Sequence, residues 1–343
     1  MTLIYFVLVL SVTIFVHELG HFIFAKKAGI YVYEFCIGMG PRILKWKRKN
    51  DETEYGIRLF PIGGFCSMAG EQVEVDEKIP KDRRLQSKTW LQRFLTVVAG
   101  VMFNFIFALI ILFIVGLFNG NPNNKLIIKE VNETSNAYIE GLRSGDLIKE
   151  VNGTKVNNID RFMIEYQVYY GKDLDLVVLR DSKEINIKVT PNKIEEGVFQ
   201  YGFSLDDSIE TGFVAAIKYT FTTFTSLISQ MFVIIGYLFS GKLSLSSLSG
   251  PIGIYNIVGQ SAESGLLDVI YLIGYLSLNV GFINLLPIPA FDGGRILFLI
   301  IEKIRRKPMN ANVENIIHSI GFVLLMLLMI VITYNDIVRF IIK

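Results

Sequence analysis

The sequence places two histidines and a glutamate at a spacing that suits metal chemistry. Residues His17-Glu18-Leu19-Gly20-His21 form an HExxH pattern. On a helix, residues i and i+4 share one face, so both imidazoles can reach a single ion. Neutral imidazole is a good ligand for zinc, and zinc lowers the pKa of a bound water to about 7. The pattern therefore predicts a hydrolytic metal site with His17 and His21 as ligands and Glu18 as the general base.

A catalytic zinc ion needs a third protein ligand and one open position. The best candidate is Asp292 in NLLPIPAFDGG (284–294), where Pro287 and Pro289 interrupt an apolar segment. Irregular backbone at membrane depth is tolerated where it lines a cavity, so an acid there can face the histidines. Two alternatives remain open: Asp292 as the cap of an interfacial helix, and His318 as a ligand rather than an interfacial residue.

The composition indicates that these residues work in lipid. The 343 residues are 51% hydrophobic and 19% charged, and their mean hydropathy is +0.44, whereas soluble domains carry about 25% charged residues. A net charge of +2 provides no large basic field, so nucleic acid is not expected as a partner. Cys36 and Cys66 are too few for a disulfide framework and lack the spacing of a zinc knuckle, so free thiols are expected.

Four apolar segments are long enough to span a bilayer as helices, which takes about 20 residues. They are residues 3–25, 94–118, 266–300 and 316–340. The HExxH pattern lies inside the first, where a carboxylate costs about 2.5 kcal/mol or more and therefore marks function. A fifth segment, 213–239, alternates apolar and polar residues at helical spacing, which favours a helix at the membrane interface. Its apolar last turns leave a fifth crossing open.

The distribution of charge predicts the orientation. Residues 26–93 hold 14 Lys and Arg against 9 Asp and Glu, whereas residues 119–210 hold 11 against 16. Because basic residues mark cytoplasmic loops, residues 26–93 and the basic connection 301–315 are expected inside, with 119–210 and both termini outside. The depths agree, since His17 would lie about 14 Å and Asp292 about 16 Å from the cytoplasmic edge if both spans run inward.

The cytoplasmic loop has the pattern of a small sheet. Residues 31–35 favour a strand, the glycine-rich IGMGP (37–41) favours a turn, and EYGIRLFPIGGFCSMAG (54–70) resumes the alternation. We therefore expect a β-sheet at the cytoplasmic membrane surface. Residues 71–93 are charged and are expected to form a solvated loop that leads into a helix.

Residues 125–206 are expected to form one small extracytoplasmic domain. GLRSGDLIKEVNGTKV (141–156) predicts a turn, a strand, a hairpin turn at Asn152–Gly153 and another strand. The pattern GLxxGDxIxxVNG is similar to the core of bacterial PDZ domains, which bind extended peptides or chain termini by strand addition. This resemblance implies peptide or protein termini as partners. A generic small β domain would explain the periodicity alone.

The expected fold is a polytopic α-helical membrane protein with four transmembrane helices, a membrane-associated β-sheet and one extracytoplasmic PDZ-like α+β domain. Residues 1–118 would hold the first two transmembrane helices and the β-rich loop, and 119–210 the PDZ-like domain. Residues 211–265 would form the interfacial amphipathic helix and a linker. Residues 266–343 would hold the last two transmembrane helices and Asp292.

Together the motifs resemble one family, the site-2 proteases, and within it the bacterial regulator-of-sigma-E protease type with one PDZ domain. They are HELGH, EFCIGMGP, EYGIRLFPIGGF, GVMFN (100–104), LSGPIGI (248–254) and NLLPIPAFDGG. The resemblance implies an intramembrane metalloprotease with Zn²⁺ as cofactor, His17, His21 and Asp292 as ligands and Glu18 as the catalytic base. Asn284 would hold the substrate backbone or the oxyanion, although it could equally cap an interrupted helix.

The resemblance also implies the substrates, which are single-pass membrane proteins in a bacterial cell membrane, either anti-sigma factors or remnant signal peptides. A substrate helix must unwind locally, and its freed backbone groups then need new partners. We expect the sheet around residues 54–65 to supply them by adding the substrate as an edge strand, in contact with Ile57, Leu59, Gly63 and Gly64.

Two other classes of function remain. A non-catalytic PDZ-bearing membrane scaffold could retain the motif, and a metal transporter could use His17, His21 and Asp292 as a transit site. A transporter would not need Glu18 as a base, and a scaffold would need none of the four residues.

Overall fold

The computed structural model describes residues 1–71, 79–123, 125–195, 197–244 and 247–342. The chain divides into two compact units, one formed by residues 1–112 with 245–343 and the other by residues 113–244. The first unit holds the HExxH pattern and the Asp292 motif. The second holds the segment that the sequence predicts to be PDZ-like.

Helices dominate the part of the chain that the structure describes. In chain order they are α1 (Thr2–Lys27), α2 (Trp90–Asn119), α3 (Asn136–Ile139), α4 (Ile159–Val168), α5 (Phe213–Phe239), α6 (Pro251–Ser264), α7 (Leu266–Leu285), α8 (Asp292–Arg305) and α9 (Ala311–Ile337). A π-helical segment, Val338–Ile342, extends α9, and two 3-10 turns, Lys81–Arg83 and Leu85–Ser87, precede α2.

The strands form small sheets in which most pairs are antiparallel. They are β1 (Val32–Lys47), β2 (Glu54–Met68), β3 (Asn121–Pro122), β4 (Ile128–Val131), β5 (Leu147–Val151), β6 (Thr154–Lys155), β7 (Leu174–Arg180), β8 (Lys183–Val189), β9 (Asn192–Glu195), β10 (Val198–Gln200), β11 (Phe203–Leu205) and β12 (Ile209–Glu210). β1 and β2 belong to the first unit, and β3 to β12 belong to the second.

Several helices are long and apolar enough to cross a membrane. Among the described residues these are Thr2–Lys27, Trp90–Asn119, Phe213–Phe239, Leu266–Leu285 and Asn312–Phe340. The chain is therefore a multi-pass membrane protein, as the sequence predicts. Three of the five match the predicted spans 3–25, 94–118 and 316–340, and α5 is the helix that the sequence favours at the interface. The predicted span 266–300 is shorter than expected, because α7 ends at Leu285 and the chain after the prolines forms the separate helix α8.

Helix α1 ends just beyond the HExxH pattern. Gly29 has a φ of 67°, a left-handed conformation that stops a helix at little steric cost. The N–H of Gly29 bonds to the carbonyl of Lys26, and that of Ile30 to the carbonyl of Ala25. Lys26 and Lys27 occupy the last turn, where cations complement the helix dipole.

Helix α1 packs between α2 and α7. Val9 is fully buried against Val269 and Ile273, near the beginning of α7. Because Asp292, which follows α7, meets α1 further along at His17, α1 and α7 run in the same direction. α2 runs in the opposite direction, since its earlier residues face the end of α1.

The sheet of the first unit is more folded than the sequence predicts. Residues 34–37 pair on one side with 64–67, where the numbers run in opposite directions (Glu34↔Ser67, Ile37↔Gly64). On the other side they pair with 54–57, where the numbers rise together (Glu34↔Glu54, Ile37↔Ile57). β1 and β2 both bend, so that they provide four paired segments.

The predicted turn at 37–41 is wrong, because β1 continues through it to Lys47. Gly38 and Gly40 have φ values of 88° and 84°, which lets the strand bend sharply without ending. The outer segment 42–47 then pairs back on residues 54–58 (Arg42↔Arg58, Lys47↔Glu54). The glycines thus fold a long strand instead of separating two short ones.

The sheet packs on the last turns of α1. Phe22 of α1 stacks on Phe35 of β1 with ring centroids 4.6 Å apart, and Leu19 of α1 lies against the same buried cluster. Cys66 and Met68 of β2 are also buried there. This contact brings the end of β2 beside the HExxH pattern.

The second unit contains a four-stranded sheet in the order β6-β5-β7-β8. β5 and β6 are joined at Asn152 and Gly153, whose φ values of 47° and 77° fit the predicted hairpin turn. The sheet and α4 enclose a core that includes Ile148, Leu176 and Phe162. The strands and the turn lie where the sequence predicts them.

One expectation about the connecting segments needs correction. The predicted linker before residue 265 contains a helix, α6, which begins at Pro251 with the proline in its first turn.

The expected solvated loop over 71–93 is only partly described, because residues 72–78 lie outside the described residues. Its described part includes the two 3-10 turns, in which Leu85 is buried, and the expected helix into the second span begins at Trp90.

Candidate metal centre

Three side chains of the first unit converge at one point. One ligand atom each of His17, His21 and Asp292 lies within 4.8 Å of the other two. Asp292 Oδ2 is 3.0 Å from His17 Nε2 and 3.2 Å from His21 Nε2, and the two Nε2 atoms are 3.2 Å apart. The side chains are 9%, 9% and 16% exposed. We call these three residues the metal-ligand cluster.

The hydrogen bonds around the cluster favour a cation at its centre. His21 Nδ1 lies 2.8 Å from the backbone carbonyl of Thr96, which can only accept, so Nδ1 carries the proton. In the neutral ring, Nε2 then has no hydrogen and carries a lone pair. It faces Asp292 Oδ2, a buried oxygen without a hydrogen-bond donor among the described residues. Two imidazoles and a carboxylate whose acceptors face one another suit zinc and leave its fourth position open.

Close contact between α1 and α2 positions the imidazole rings of His17 and His21. A Cβ atom on Gly20 would lie 2.4 Å from the carbonyl oxygen of Ala99, so the two helix backbones nearly touch. A Cβ atom on Gly100 would lie 2.3 Å from His21 Nε2 and 2.8 Å from His17 Cε1. Because Gly100 has no side chain, the two imidazoles can occupy the space beside it.

Asp292 is presented by a tightly folded connection between α7 and α8. A Cβ atom on Gly293 would lie 2.0 Å from the carbonyl oxygen of Leu286, so the chain folds back on the start of α8. Ala290 has a φ of 85°, and its N–H donates to His318 Nδ1 at 3.0 Å. His318 thus holds the loop that precedes Asp292 and is not part of the metal-ligand cluster.

Glu18 lies beside the cluster and is held by the sheet. Its Oε2 accepts a hydrogen bond of 2.9 Å from the backbone N–H of Cys66 in β2. A Cβ atom on Gly64 would lie 3.7 Å from Glu18 Cγ. Glu18 also interacts electrostatically with all three members of the cluster. The sheet therefore orients the carboxylate that the sequence predicts to be the general base.

The end of β2 is the sheet edge nearest to the cluster. The N–H of Cys66 donates to Glu18, and that of Met68 donates to the side chain of Glu71 at 3.4 Å. Alternate backbone groups of this segment therefore point away from β1.

The strand pairing shows that the residues predicted to contact substrate have different positions in the sheet. Ile57 pairs with Ile37 on one side and with Leu44 on the other, so it lies inside the sheet and cannot be the open edge that a substrate would join. Leu59 is 49% exposed and lies between two positions, 58 and 60, that pair with β1.

Gly63 and Gly64 follow in β2, next to α1. A Cβ atom on Gly63 would lie 3.4 Å from the side chain of Ile14, and Gly63 has a φ of 86°. Asn284 is half-buried in the last turn of α7. The N-terminus of α8 has no side-chain cap, so Asn284 does not cap that helix.

Comparison with known proteins identifies the family. The family model described as Peptidase family M50 matches residues 5–328. The zinc metalloprotease RasP of Bacillus licheniformis is 33% identical, with 98% of this chain and 99% of the relative aligned. The regulator of sigma-W protease RasP of Bacillus subtilis is also 33% identical, with 98% of each chain aligned. A relative from Clostridium perfringens is 36% identical over 339 residues, which cover 98% of this chain and 99% of the relative.

The chain belongs to peptidase family M50, the site-2 protease family. This membership confirms the resemblance found in the sequence and the predicted class of enzyme, a metalloendopeptidase. The predicted zinc cofactor is confirmed at the level of the family, since the B. licheniformis relative is a zinc metalloprotease. The alignment with the B. licheniformis protein spans 416 positions, more than the 343 residues here, so that relative has segments without a counterpart in this chain.

This M50 peptidase also ties the ligand helix α8 to the sheet and to α2. Arg295, one turn after Asp292, donates to Glu71 at 2.5 Å, just beyond the end of β2. The indole N–H of Trp90 donates to the carbonyl of Leu299 at 2.7 Å. The helix that begins at Asp292 is thus fixed to α2 and to the chain at the end of β2.

The two cysteines are free thiols, as predicted. Burial, with a hydrogen bond to Glu34, raises the pKa of Cys36 to about 11. Burial likewise raises the pKa of Cys66. Both therefore remain protonated at neutral pH, a form that is neither a metal ligand nor a nucleophile.

Sequence reasoning missed the residues of α2 that contact the histidines. Thr96 accepts from His21, Gly100 makes room for both rings, and Asn104 lies 3.3 Å from His17. Gly100 and Asn104 are the ends of GVMFN, a motif that the sequence supports only by its resemblance to the family. Their spacing of four residues places both on one face of α2, which is the available signal.

The contact at Gly100 predicts a large effect of a single methyl group. Gly100→Ala should weaken zinc binding about tenfold or more, because the new Cβ would displace the rings that hold the ion. Zinc content of the purified protein and competition with a chelator measure this. The control is Gly236→Ala in α5, where a Cβ would meet nothing within 4 Å and zinc binding should not change. Wild-type zinc affinity in Gly100→Ala would mean that the metal lies elsewhere.

Proposed function

We propose that this chain is an intramembrane zinc endopeptidase that cleaves transmembrane segments of single-pass membrane proteins, either anti-sigma factors or remnant signal peptides. The observation that carries the proposal is the position of the metal-ligand cluster. His17 and His21 lie within the apolar helix α1 and Asp292 is the first residue of α8. Their side chains are 9–16% exposed, and the carboxylate of Glu18 lies beside them. Buried ionisable groups in such segments are costly and mark function. The family includes a regulator of sigma-W protease from B. subtilis, a name consistent with substrates of this kind.

In this proposal His17, His21 and Asp292 hold the zinc ion. Zinc in such a site acts as a Lewis acid and makes water a nucleophile near neutral pH. Thr96 supports the arrangement, because its carbonyl fixes the His21 tautomer whose Nε2 is free to bind. The orphaned oxygen of Asp292 completes the set.

Glu18 is the proposed general base. It accepts the proton of the attacking water and later gives it to the leaving amine. The hydrogen bond from Cys66 occupies one carboxylate oxygen, Oε2, and so fixes the direction in which the other can act. Asn284 is proposed to hold the substrate backbone or the oxyanion, from the turn of α7 that precedes the Asp292 loop.

The substrate would join the sheet beside the cluster. A peptide unwound from a helix leaves amide and carbonyl groups that need partners in a low-dielectric site. Along the edge at 64–68, the N–H groups of Cys66 and Met68 point away from β1, and that of Cys66 points toward Glu18. We propose that Leu59, Gly63 and Gly64 contact the added strand, which places its peptide bonds next to the base.

The direction of the helices supports four crossings. α1 and α7 run in the same direction, and α2 runs in the opposite one. The chain between α2 and α7 must therefore cross the membrane an even number of times. α6 has 14 residues, about 21 Å, which is too short to span about 30 Å of hydrocarbon. α5 would then not cross either.

Contacts within the second unit agree with an interfacial α5. Ser226 of α5 donates to Asp160 of α4, and Tyr237 of α5 donates to Glu165 of the same helix. Eleven residues of α5, about 16 Å, thus follow a helix of the PDZ-like domain. A helix crossing the bilayer would carry one of these positions deep into the lipid, away from that domain.

The proposed orientation places residues 119–210 and both termini outside, with 26–93 and 301–315 in the cytoplasm. The charge counts of the loops support this. The PDZ-like domain would then meet peptide or protein termini outside the membrane. It begins and ends at paired strands, β3 and β12, which is typical of a separate domain inserted between two helices.

The number of crossings can be tested by labelling in intact cells. Ser240→Cys, at the exposed end of α5, should react with a membrane-impermeant maleimide added outside, as should Lys183→Cys in the PDZ-like domain. Lys307→Cys should react only after the membrane is opened. If Ser240→Cys behaves like Lys307→Cys, α5 crosses and the four-helix topology is wrong.

The role of Glu18 predicts a separation of binding from catalysis. Purified Glu18→Gln should retain zinc and lose about 10²–10⁴-fold in the cleavage rate of a model single-pass substrate, because only the proton acceptor is removed. Glu263→Gln, an exposed glutamate of α6, is the control and should cleave normally. A scaffold predicts no cleavage by any of the three proteins, and a transporter predicts zinc flux that survives Glu18→Gln. The same assay, run with substrates that have or lack a free terminus outside the membrane, tests whether the PDZ-like domain recognises such termini.

The edge-strand proposal predicts a difference between two substitutions at one position. Leu59→Pro removes the backbone N–H, whereas Leu59→Ala removes the side chain alone. Loss of one hydrogen bond of about 1 kcal/mol should lower kcat/KM several-fold to tenfold in Leu59→Pro relative to Leu59→Ala. Zinc content should be equal in both. Equal rates in the two variants would exclude strand addition at this position.

A further inference from the structure

A carboxamide on α2 contacts the ligand His17 from behind. Asn104 is fully buried, and its amide lies 3.3 Å from His17 Nδ1. Its other amide atom lies 3.3 Å from the hydroxyl of Ser277 on α7. Ser277, also fully buried, donates in turn to the backbone carbonyl of Asn104 at 3.2 Å. A buried amide needs such partners, and here they join three helices.

The chemistry of the ring determines which way the amide must face. His17 points Nε2 at Asp292, 3.0 Å away, so Nε2 is the nitrogen that can bind a metal. The remaining nitrogen, Nδ1, then carries the proton and needs an acceptor. The structure places Asn104 Nδ2 toward His17 Nδ1 and Oδ1 toward Ser277, but a half-turn of the amide exchanges these two atoms. Because only the oxygen accepts, the amide oxygen must face His17 and the NH₂ group must face Ser277 when Nδ1 carries the proton.

In this orientation each of the three contacts of the network joins one donor to one acceptor. His17 Nδ1–H donates to Asn104 Oδ1, and Asn104 Nδ2–H donates to the Ser277 hydroxyl oxygen. The Ser277 hydroxyl hydrogen donates to the backbone carbonyl of Asn104. With the amide reversed, two donors would face each other across 3.3 Å.

The second histidine has an equivalent partner of a different kind. His21 Nδ1 bonds to the backbone carbonyl of Thr96, also on α2. Both histidines thus contact α2, at two positions that lie two turns apart on that helix. Only the partner of His17 is a side chain, that of Asn104, so only this contact can be removed by substitution.

We propose that Asn104, oriented by Ser277, is a positioning residue for the metal. Its oxygen holds His17 in the tautomer and ring orientation that leave Nε2 free for zinc. The inference rests on the proposed function, since it requires zinc at His17, His21 and Asp292. Partners of this kind around a metal site typically change metal affinity 10- to 100-fold when they are removed.

A purely structural role makes different predictions. The Cβ of Asn104 lies 3.2 Å from the position that a Cβ on Gly281 would occupy, so Asn104 also packs α2 against α7. If packing were its whole role, apolar and acidic replacements of the same size would alter stability but not the affinity for metal.

The test compares Asn104→Leu and Asn104→Asp in the full-length protein in detergent. Both nearly keep the size of the side chain, but Asp is an acceptor and Leu is not. Zinc affinity by chelator competition and the visible spectrum of the cobalt-loaded protein are measured. Asn104→Leu should bind zinc 10- to 100-fold more weakly and shift the cobalt bands, whereas Asn104→Asp should bind within about threefold of the wild type or more tightly.

Two further variants complete the test. Ser277→Ala removes one hydroxyl and should weaken zinc binding by several-fold, because the amide loses the partner that orients it; this variant decides the matter if Asn104→Leu does not fold. Asn279→Leu is the control, since the amide of Asn279 donates to the carbonyl of Tyr275 within α7, and it should bind zinc normally.

The outcomes separate the two proposals. Wild-type zinc affinity in Asn104→Leu or in Ser277→Ala would overturn the positioning role, as would an Asn104→Asp variant as weak as Asn104→Leu. If His17→Ala leaves zinc binding unchanged, the ligand set itself is wrong and the proposed function fails with it. Loss of zinc in His17→Ala together with an unaffected Asn104→Leu would reject only the inference about Asn104.

Discussion

The structure depends on the convergence of three acceptor atoms in a nearly closed space. His17 Nε2, His21 Nε2 and Asp292 Oδ2 lie 3.0–3.2 Å apart, an arrangement that is repulsive until a cation joins them. Bringing them together requires two helix backbones in near contact at Gly20 and Gly100. The fold of the first unit therefore holds three like groups together, and the proposed zinc ion would offset their repulsion.

Irregular backbone surrounds the site, and side chains bond to several of its N–H groups. The loop before α8 is bonded to His318, and the end of β2 is bonded to Glu18 and Glu71. In a low-dielectric setting such groups are costly when unpaired. The same side chains that satisfy the backbone also orient the chemistry, because Glu18 is both an acceptor for the sheet and the proposed base.

The site was predictable where local spacing determines it. HExxH places His17 and His21 on one face of α1, and the prolines before Asp292 indicate the break in the third segment. The contacts made by α2 were not predictable, because how one helix is rotated against another is not encoded in its own periodicity; Thr96 acts through its backbone, which any residue could supply. The glycines at positions 38 and 40 are typical of a turn, but in the structure their positive φ values bend a continuous strand. α6 was missed because its glycines and serines read as a linker.

One contact far from the cluster links the two ends of the chain. Asp336, at the end of α9 and 2% exposed, accepts a hydrogen bond of 2.8 Å from the N–H of Gly253 in the first turn of α6. α6 in turn packs on the beginning of α1, where Phe6 and Tyr255 meet edge to face. A single carboxylate thus couples the C-terminus to the helix that carries both histidines, so a chain shortened before residue 336 would lose part of the support of its own first helix.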